Sequence, residues 1–164
     1  MLTMVIVKIT PSRRTDYALQ AMIYLASADK ARKAAPEIAE QMGLSVHYLR
    51  QVPRELTRAR LVMSSPAPSG GYALARPARA ITVLQIVEAL EGPLAPTDCV
   101  LRGGPCHWEH VCPIHSVWSG ALQAMTSRLS AGTLEALAAA DRALAENRFD
   151  VPDDVHRRRA RVEQ

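Results

Sequence analysis

Cysteine is rare in this chain, with three residues in 164. An odd number cannot all pair within one molecule, which excludes a disulfide framework as the scaffold. Aromatic residues are scarce too, at 4%, while alanine and leucine dominate, a composition that favours helices. No apolar run approaches the roughly 18 residues that cross a bilayer, so no membrane partner is expected. No secretory leader pattern opens the sequence, and a reducing cytoplasm is the expected compartment. No Ser-His-Asp pattern, phosphate-cradling loop or pair of carboxylates stands out. The adjacent Cys106 and His107 are weak evidence for a nucleophile pair, because adjacency in sequence does not set catalytic geometry. An enzyme is therefore not expected.

What is present divides the chain by charge. The net charge is +4, but residues 1–80 carry 12 Lys and Arg against 5 Asp and Glu, a net of +7. Residues 81–150 carry 4 against 8, a net of −4. A basic N-terminal half set apart from an acidic one points to a polyanionic partner, most simply double-stranded DNA. Hydrophobic residues make up 48%, enough for a core in one domain or one domain plus an appended element.

All three cysteines lie between Asp98 and Trp118, in the spacing Cys99-x6-Cys106-x5-Cys112-x2-His115, with His107 and His110 in the same span. Gly103, Gly104 and Pro105 suit a loop that folds tightly around something. Thiols and imidazoles at this density suit a metal or an iron–sulfur cluster. Three readings stay open on the residues alone: a cluster on three thiolates and a weaker fourth ligand, a structural Cys3His zinc, or buried or redox-active thiols. The spacing lacks the Cys-x2-Cys knuckle of many zinc sites, which counts against zinc. His115 is the local candidate for a fourth ligand.

The rest of the chain reads as short helices and a hairpin. Residues 1–10 suit a short strand or an arm. Ser12 caps a helix running to Ser27, with Ala18, Ala21, Met22 and Leu25 on one face. A short helix over 34–42 follows, with Pro36 in its first turn and Ile38, Ala39 and Met42 facing one way. Gly43 ends it, and Ser45 can cap a second helix from Val46 to about Ala59. Two helices joined through a glycine turn suggest a helix-turn-helix. Leu49, Val52, Leu56 and Ala59 would be the buried side. Ser45, His47, Tyr48, Arg50, Gln51 and Arg54 would face DNA, with Arg50 and Gln51 suited to base edges, and Tyr48 and Arg54 to phosphates. Pro53 should kink or stop this helix. Strands at Leu61–Ser64 and Gly71–Leu74 flank a turn-rich loop, and that hairpin reads as a wing, with Ser69 and Gly70 at DNA.

Thr82 caps a further helix, with Val83, Ile86, Val87 and Leu90 inward. Gly92-Pro93 ends it. Pro113 to Leu129 reads as a long helix with an apolar stripe of Trp118, Ala121, Leu122, Met125 and Leu129, long enough to pack against a partner helix. A last helix runs from Thr133 to about Asn147, with Leu134, Leu137 and Leu144 inward. The expected fold is mainly α: a winged helix-turn-helix domain over 7–92 with a small β-hairpin wing, a cluster-binding loop over 93–112, dimerisation helices over 113–147, and a disordered tail over 148–164.

In this order the elements resemble the IscR/NsrR-type winged-helix regulators of the Rrf family, over roughly residues 7–146. The marks are Thr15-Asp16-Tyr17-Ala18-Leu19, Ile38-Ala39, Gly43-Leu44-Ser45, Tyr48-Leu49, Gly70-Gly71-Tyr72-Ala73-Leu74, Ile81-Thr82-Val83, Thr133-Leu134 and the three cysteines. The resemblance implies a homodimer joined by the long helix. It also implies an iron–sulfur cluster on Cys99, Cys106 and Cys112 that senses nitric oxide, redox or iron–sulfur status and controls operator binding. The segment holding Asp16 looks like the one that supplies an aspartate ligand to a [4Fe–4S] cluster across the dimer in NsrR-type proteins. His115 would instead match the IscR side, with [2Fe–2S]. Asp16 and [4Fe–4S] are favoured, because a hard carboxylate from the partner would join the cluster to the DNA-binding half. The alternative is a cluster-free winged-helix regulator using zinc or redox-active thiols. The chain departs from the pattern in three places: six residues between Cys99 and Cys106 where five are usual, Ser64 and Ser65 where the wing often starts with arginine, and Pro53.

Overall fold

Ser12, Thr82 and Thr133 each stand just before a helix, and each accepts a bond from the backbone N–H three residues on. That bond satisfies one of the free N–H groups at a helix start. A computed structural model describes residues 10–28, 31–43, 46, 54–65, 70–94, 107, 108 and 111–146. The elements are α1 (Arg13–Ser27), α2 (Ala35–Met42), β1 (Val62–Ser65), β2 (Gly71–Leu74), a 3-10 turn (Ala78–Ala80), α3 (Val83–Glu91), α4 (Pro113–Ala131) and α5 (Leu134–Ala145). The architecture is the expected one, mainly helical with a two-stranded antiparallel hairpin.

The period-3.6 pattern of α1 delivers its apolar face as read: Ala18, Ala21, Met22 and Leu25 are buried, and Thr15 joins them. Ile38 and Ala39 of α2, Ile86 and Leu90 of α3, and Leu134 of α5 close on the same core. Full burial of the leucine, isoleucine and methionine side chains among them stabilises by about 1.5–3 kcal/mol each. The last helix therefore packs into the same core as the first, and α5 lies along α1.

Gly43 ends α2 in the left-handed region at φ 61, its N–H bonded to the carbonyls of Ala39 and Glu40. Val46 is already helical, and 54–58 is helical again. Residues 47–53, with Leu49, Val52 and Pro53, lie outside the described residues. Leu56 is 2% exposed as expected. Ala59 is exposed, against expectation: the helix has ended there and Arg60 turns at φ 56, so the period no longer sets which side faces inward. Leu144 is also exposed, at 42%, because it lies in the last turn of α5, beyond the part that packs on the core. Residues 1–9, 66–69 and 147–164 lie outside the described residues.

Two bridges between distant segments were not expected. Lys33 pairs with Tyr72 through N–H···O bonds of 2.9 and 2.8 Å, adding an edge to the hairpin. Thr82 pairs with Thr133, with Val83 N–H on Gly132 O at 2.9 Å and Leu134 N–H on Ile81 O at 2.8 Å. The starts of α3 and α5 are thus tied together. The long α4 packs against α3, yet none of its 19 residues is buried, and Ile114 and Val117 are 44% and 72% exposed.

Candidate functional site

The cysteine-bearing segment follows the C-terminus of α3 and precedes α4 in the chain. Gly92 makes the exit, at φ 91, a conformation that residues with a Cβ rarely adopt. Leu94 N–H then bonds back to Glu88 Oε1 at 3.3 Å. At the return, the N–H groups of Val111 and Cys112 both bond to Trp108 O, at 3.1 and 2.7 Å. Cys112 is the residue before α4, with Pro113 in the first turn, and its side chain makes no capping bond. Its thiol is half-buried and in no disulfide. His115 lies one turn on, half-buried, its N–H on Cys112 O at 3.2 Å. Cys99, Cys106 and His110 lie outside the described residues, and His107 is exposed. Among the described residues no group of three His, Cys, Asp or Glu side chains comes together around a metal-sized space.

Asp16 is exposed in the first turn of α1, and Gln20 Nε2 donates to its Oδ1 at 3.1 Å. A carboxylate at this place also favours its own helix, by about 0.3–1 kcal/mol. Its neighbour Thr15 is fully buried and donates its hydroxyl to Glu91 Oε1, which also accepts Ser12 N–H at 3.0 Å. These bonds from Ser12 and Thr15 hold the Glu91 carboxyl below its ordinary range. The Asp16 turn is thereby fixed to the residue from which the cysteine segment departs. Sequence reading missed Glu91, for which no local pattern exists.

Of the expected DNA contacts, Ser45, His47, Tyr48, Arg50, Gln51 and Ser69 lie outside the described residues. Arg54 is exposed at the start of the 54–58 turn, and Gly70 is half-buried before β2. Arg32, Arg60 and Arg76 line a groove of about 610 Å³ with Thr57, Val62, Met63, Ser64 and Ala75. None of these three arginines was among the expected contacts, although all contribute to the basic N-terminal charge. Next to Arg32 in sequence, Lys33 forms an i,i+4 ion pair with Glu37 that Tyr24 joins through its hydroxyl, at 3.1 Å from Glu37. The Lys33 hydrogen bond lowers the Glu37 carboxyl from its usual value.

A family model described as Rrf2, iron-dependent transcriptional regulator, matches residues 11–140. An rrf2-like HTH-type transcriptional regulator of Rhodobacter capsulatus is 31% identical over 140 residues, covering 79% of this chain and 92% of its own. Among solved structures, CymR, the global cysteine regulator of B. subtilis, aligns with a TM-score of 0.67 at 32% identity, over 81% of this chain and 98% of its own. IscR of T. potens aligns with a TM-score of 0.64 at 31% identity, over 84% and 91%. The matched span takes in α1, the hairpin, α3, the cysteine segment, α4 and the start of α5, and the chain belongs to the Rrf2 family of transcriptional regulators.

Proposed function

We propose that this regulator binds a two-fold related DNA operator as a homodimer and senses nitric oxide, redox or iron–sulfur status through a cluster held by Cys99, Cys106 and Cys112. The observation that carries the reading is Cys112: a half-buried thiol with no capping role, at the head of a long helix, where the segment holding the other two cysteines returns. The donor set fits such a group, since three thiolates suit iron and a harder fourth ligand can be given up. Asp16 of the partner subunit would be that ligand for a [4Fe–4S] cluster, with His115 as the alternative for [2Fe–2S]. Bound there, the cluster would supply iron that reacts with nitric oxide and oxidants. The chain's own part is to hold the 93–112 segment in one arrangement, between α3 and α4, until a ligand is lost. The exposed Ile114 and Val117 on α4 support a partner helix covering that face. DNA would be read by Arg50 and Gln51 and gripped through Ser45, His47, Tyr48, Arg54, Ser69 and Gly70.

The kinship to CymR supports a second reading, a cluster-free regulator using zinc or thiols. Anaerobic purification with iron, sulfide and zinc analysis separates the two. The cluster reading requires visible absorption with iron and sulfide together, and their loss in Cys112→Ala while the helical signal is retained. Zinc or no metal in the wild-type protein, or full iron and sulfide in Cys112→Ala, would rule it out. Comparing Asp16→Ala with His115→Ala then assigns the fourth ligand by which of them changes the spectrum.

A further inference from the structure

Glu91 is the last residue of α3, and the cysteine-bearing segment departs one residue later. Its carboxylate is bonded by Ser12, the cap of α1, and by Thr15 in the first turn of α1. One position back, the Leu90 carbonyl belongs to the last turn of a helix, where carbonyls lack partners within the helix. Arg14 Nη2 donates to it. The other arm of the same guanidinium, Nη1, reaches Glu55 Oε1 at 3.5 Å. Glu55 sits in the 54–58 turn, at the end of the expected recognition helix. Its second oxygen, Oε2, is buried with no hydrogen-bond partner among the described residues.

Arg14 therefore stands between two elements remote in sequence, 76 positions from Leu90 and 41 from Glu55. A guanidinium carries its N–H groups in a fixed planar fork, so a shift of one partner is passed to the other. A lysine ammonium has its donors on one atom and lacks the two separate arms that reach these partners. The contact with Glu55 is 42% and 28% exposed on its two sides, and such a pair adds little to stability. What distinguishes it is the pair of elements it connects.

We propose that Arg14 is a positioning residue for DNA binding. It relays the position of the α3 C-terminus, and with it the state of the cysteine segment, to the turn at the end of the recognition helix. The regulatory use rests on the function proposed above; the brace itself does not.

Hydrogen–deuterium exchange on the full-length, metal-free protein tests the brace alone. Glu91→Gln loosens the hold on Ser12 and Thr15 and should raise exchange of amides 54–61 about threefold, a coupling at the low end for residues that share a network. In the Arg14→Lys background, which keeps the charge and loses the fork, the same change should leave amides 54–61 unaltered, while the first turn of α1 still responds. Equal effects in the two backgrounds, or none in either, overturn the proposal. In anaerobically prepared, iron-containing protein, stripping the iron should alter exchange over 93–112 in both backgrounds and over 54–61 only with Arg14 intact. A response over 93–112 that never reaches 54–61 in the wild-type protein refutes the relay. Wild-type protein without iron would sink the cluster reading and leave the metal-free experiment to decide the brace.

Discussion

Replacing Gly71 by alanine is a test in which the sign of the effect carries the answer. Gly71 opens β2, and the backbone of Lys33 passes directly over it. A Cβ built there would stand 2.5 Å from the Lys33 carbonyl oxygen, 2.7 Å from its carbon and 3.1 Å from Ala34 N. All three are backbone atoms, so no side-chain rotation can relieve the overlap. Gly71 is not among the positive-φ residues, so its conformation suits alanine. Without the close approach, Gly71→Ala should stabilise by about 0.4–1 kcal/mol, through a less flexible unfolded chain. With it, the Lys33 segment must move away and loosen both bonds of the Lys33–Tyr72 bridge. Each is worth about 0.5–1.5 kcal/mol net, so the expected loss is roughly 1–3 kcal/mol. At about 3 °C per kcal/mol for a chain of this size, the melting temperature should fall by roughly 3–9 °C. Thermal and urea unfolding followed by circular dichroism would measure it. A melting temperature equal to or above the wild type would refute the close approach, and with it the third edge of the hairpin.

Thr82→Ala should cost about 0.5–2 kcal/mol, because it removes the reciprocal cap with Gln85 at the start of α3; an unchanged urea midpoint would contradict that cap. The Glu37 and Glu91 carboxyls are both held below their ordinary value of 4.5 in the folded chain, by Lys33 and by Ser12 with Thr15. Groups depressed in this way stabilise the fold above their unfolded value and lose that contribution as pH falls through the folded one. Stability should therefore drop on acidification below about pH 4.5, and the Glu37→Gln, Glu91→Gln double variant should show a shallower drop in urea titrations run from pH 7 to pH 3; identical pH profiles would remove both carboxylates from the account.

The helices were legible where burial period and cap agree. Ser12 with Ala18, Met22 and Leu25, and Thr82 with Ile86 and Leu90, each give both signals within one short stretch. The period misled at Ala59 and Leu144, both at helix ends, where packing has run out and position on the wheel decides nothing. The bridges at Lys33–Tyr72 and Thr82–Thr133 left no local trace, since backbone pairing across such distances depends on where the folded elements meet. The Gly70-Gly71-Tyr72 motif stood out only by resemblance, and the Lys33 contact gives its second glycine a steric reason. At the candidate site, the uneven charge and the clustered thiols showed in composition. Glu91 and Arg14 did not, because neither belongs to a motif and both gain their role from partners on other elements.

The Thr82–Thr133 bridge has a consequence for how the chain tolerates change in length. It returns the end of α4 to the first residue of the very helix from whose last residue the cysteine segment departs. Residues 92–132 thus form a closed detour with both ends moored on α3. Lengthening a detour of this size by one residue alters its closure entropy by only about 0.02 kcal/mol, since the cost grows with the logarithm of length. A residue gained or lost between Cys99 and Cys106 is therefore expected to place little demand on the core. Single-residue insertions or deletions before α4 should be nearly silent for folding, whereas the same change within α4 would turn the rest of that helix by about 100° and disturb its packing on α3.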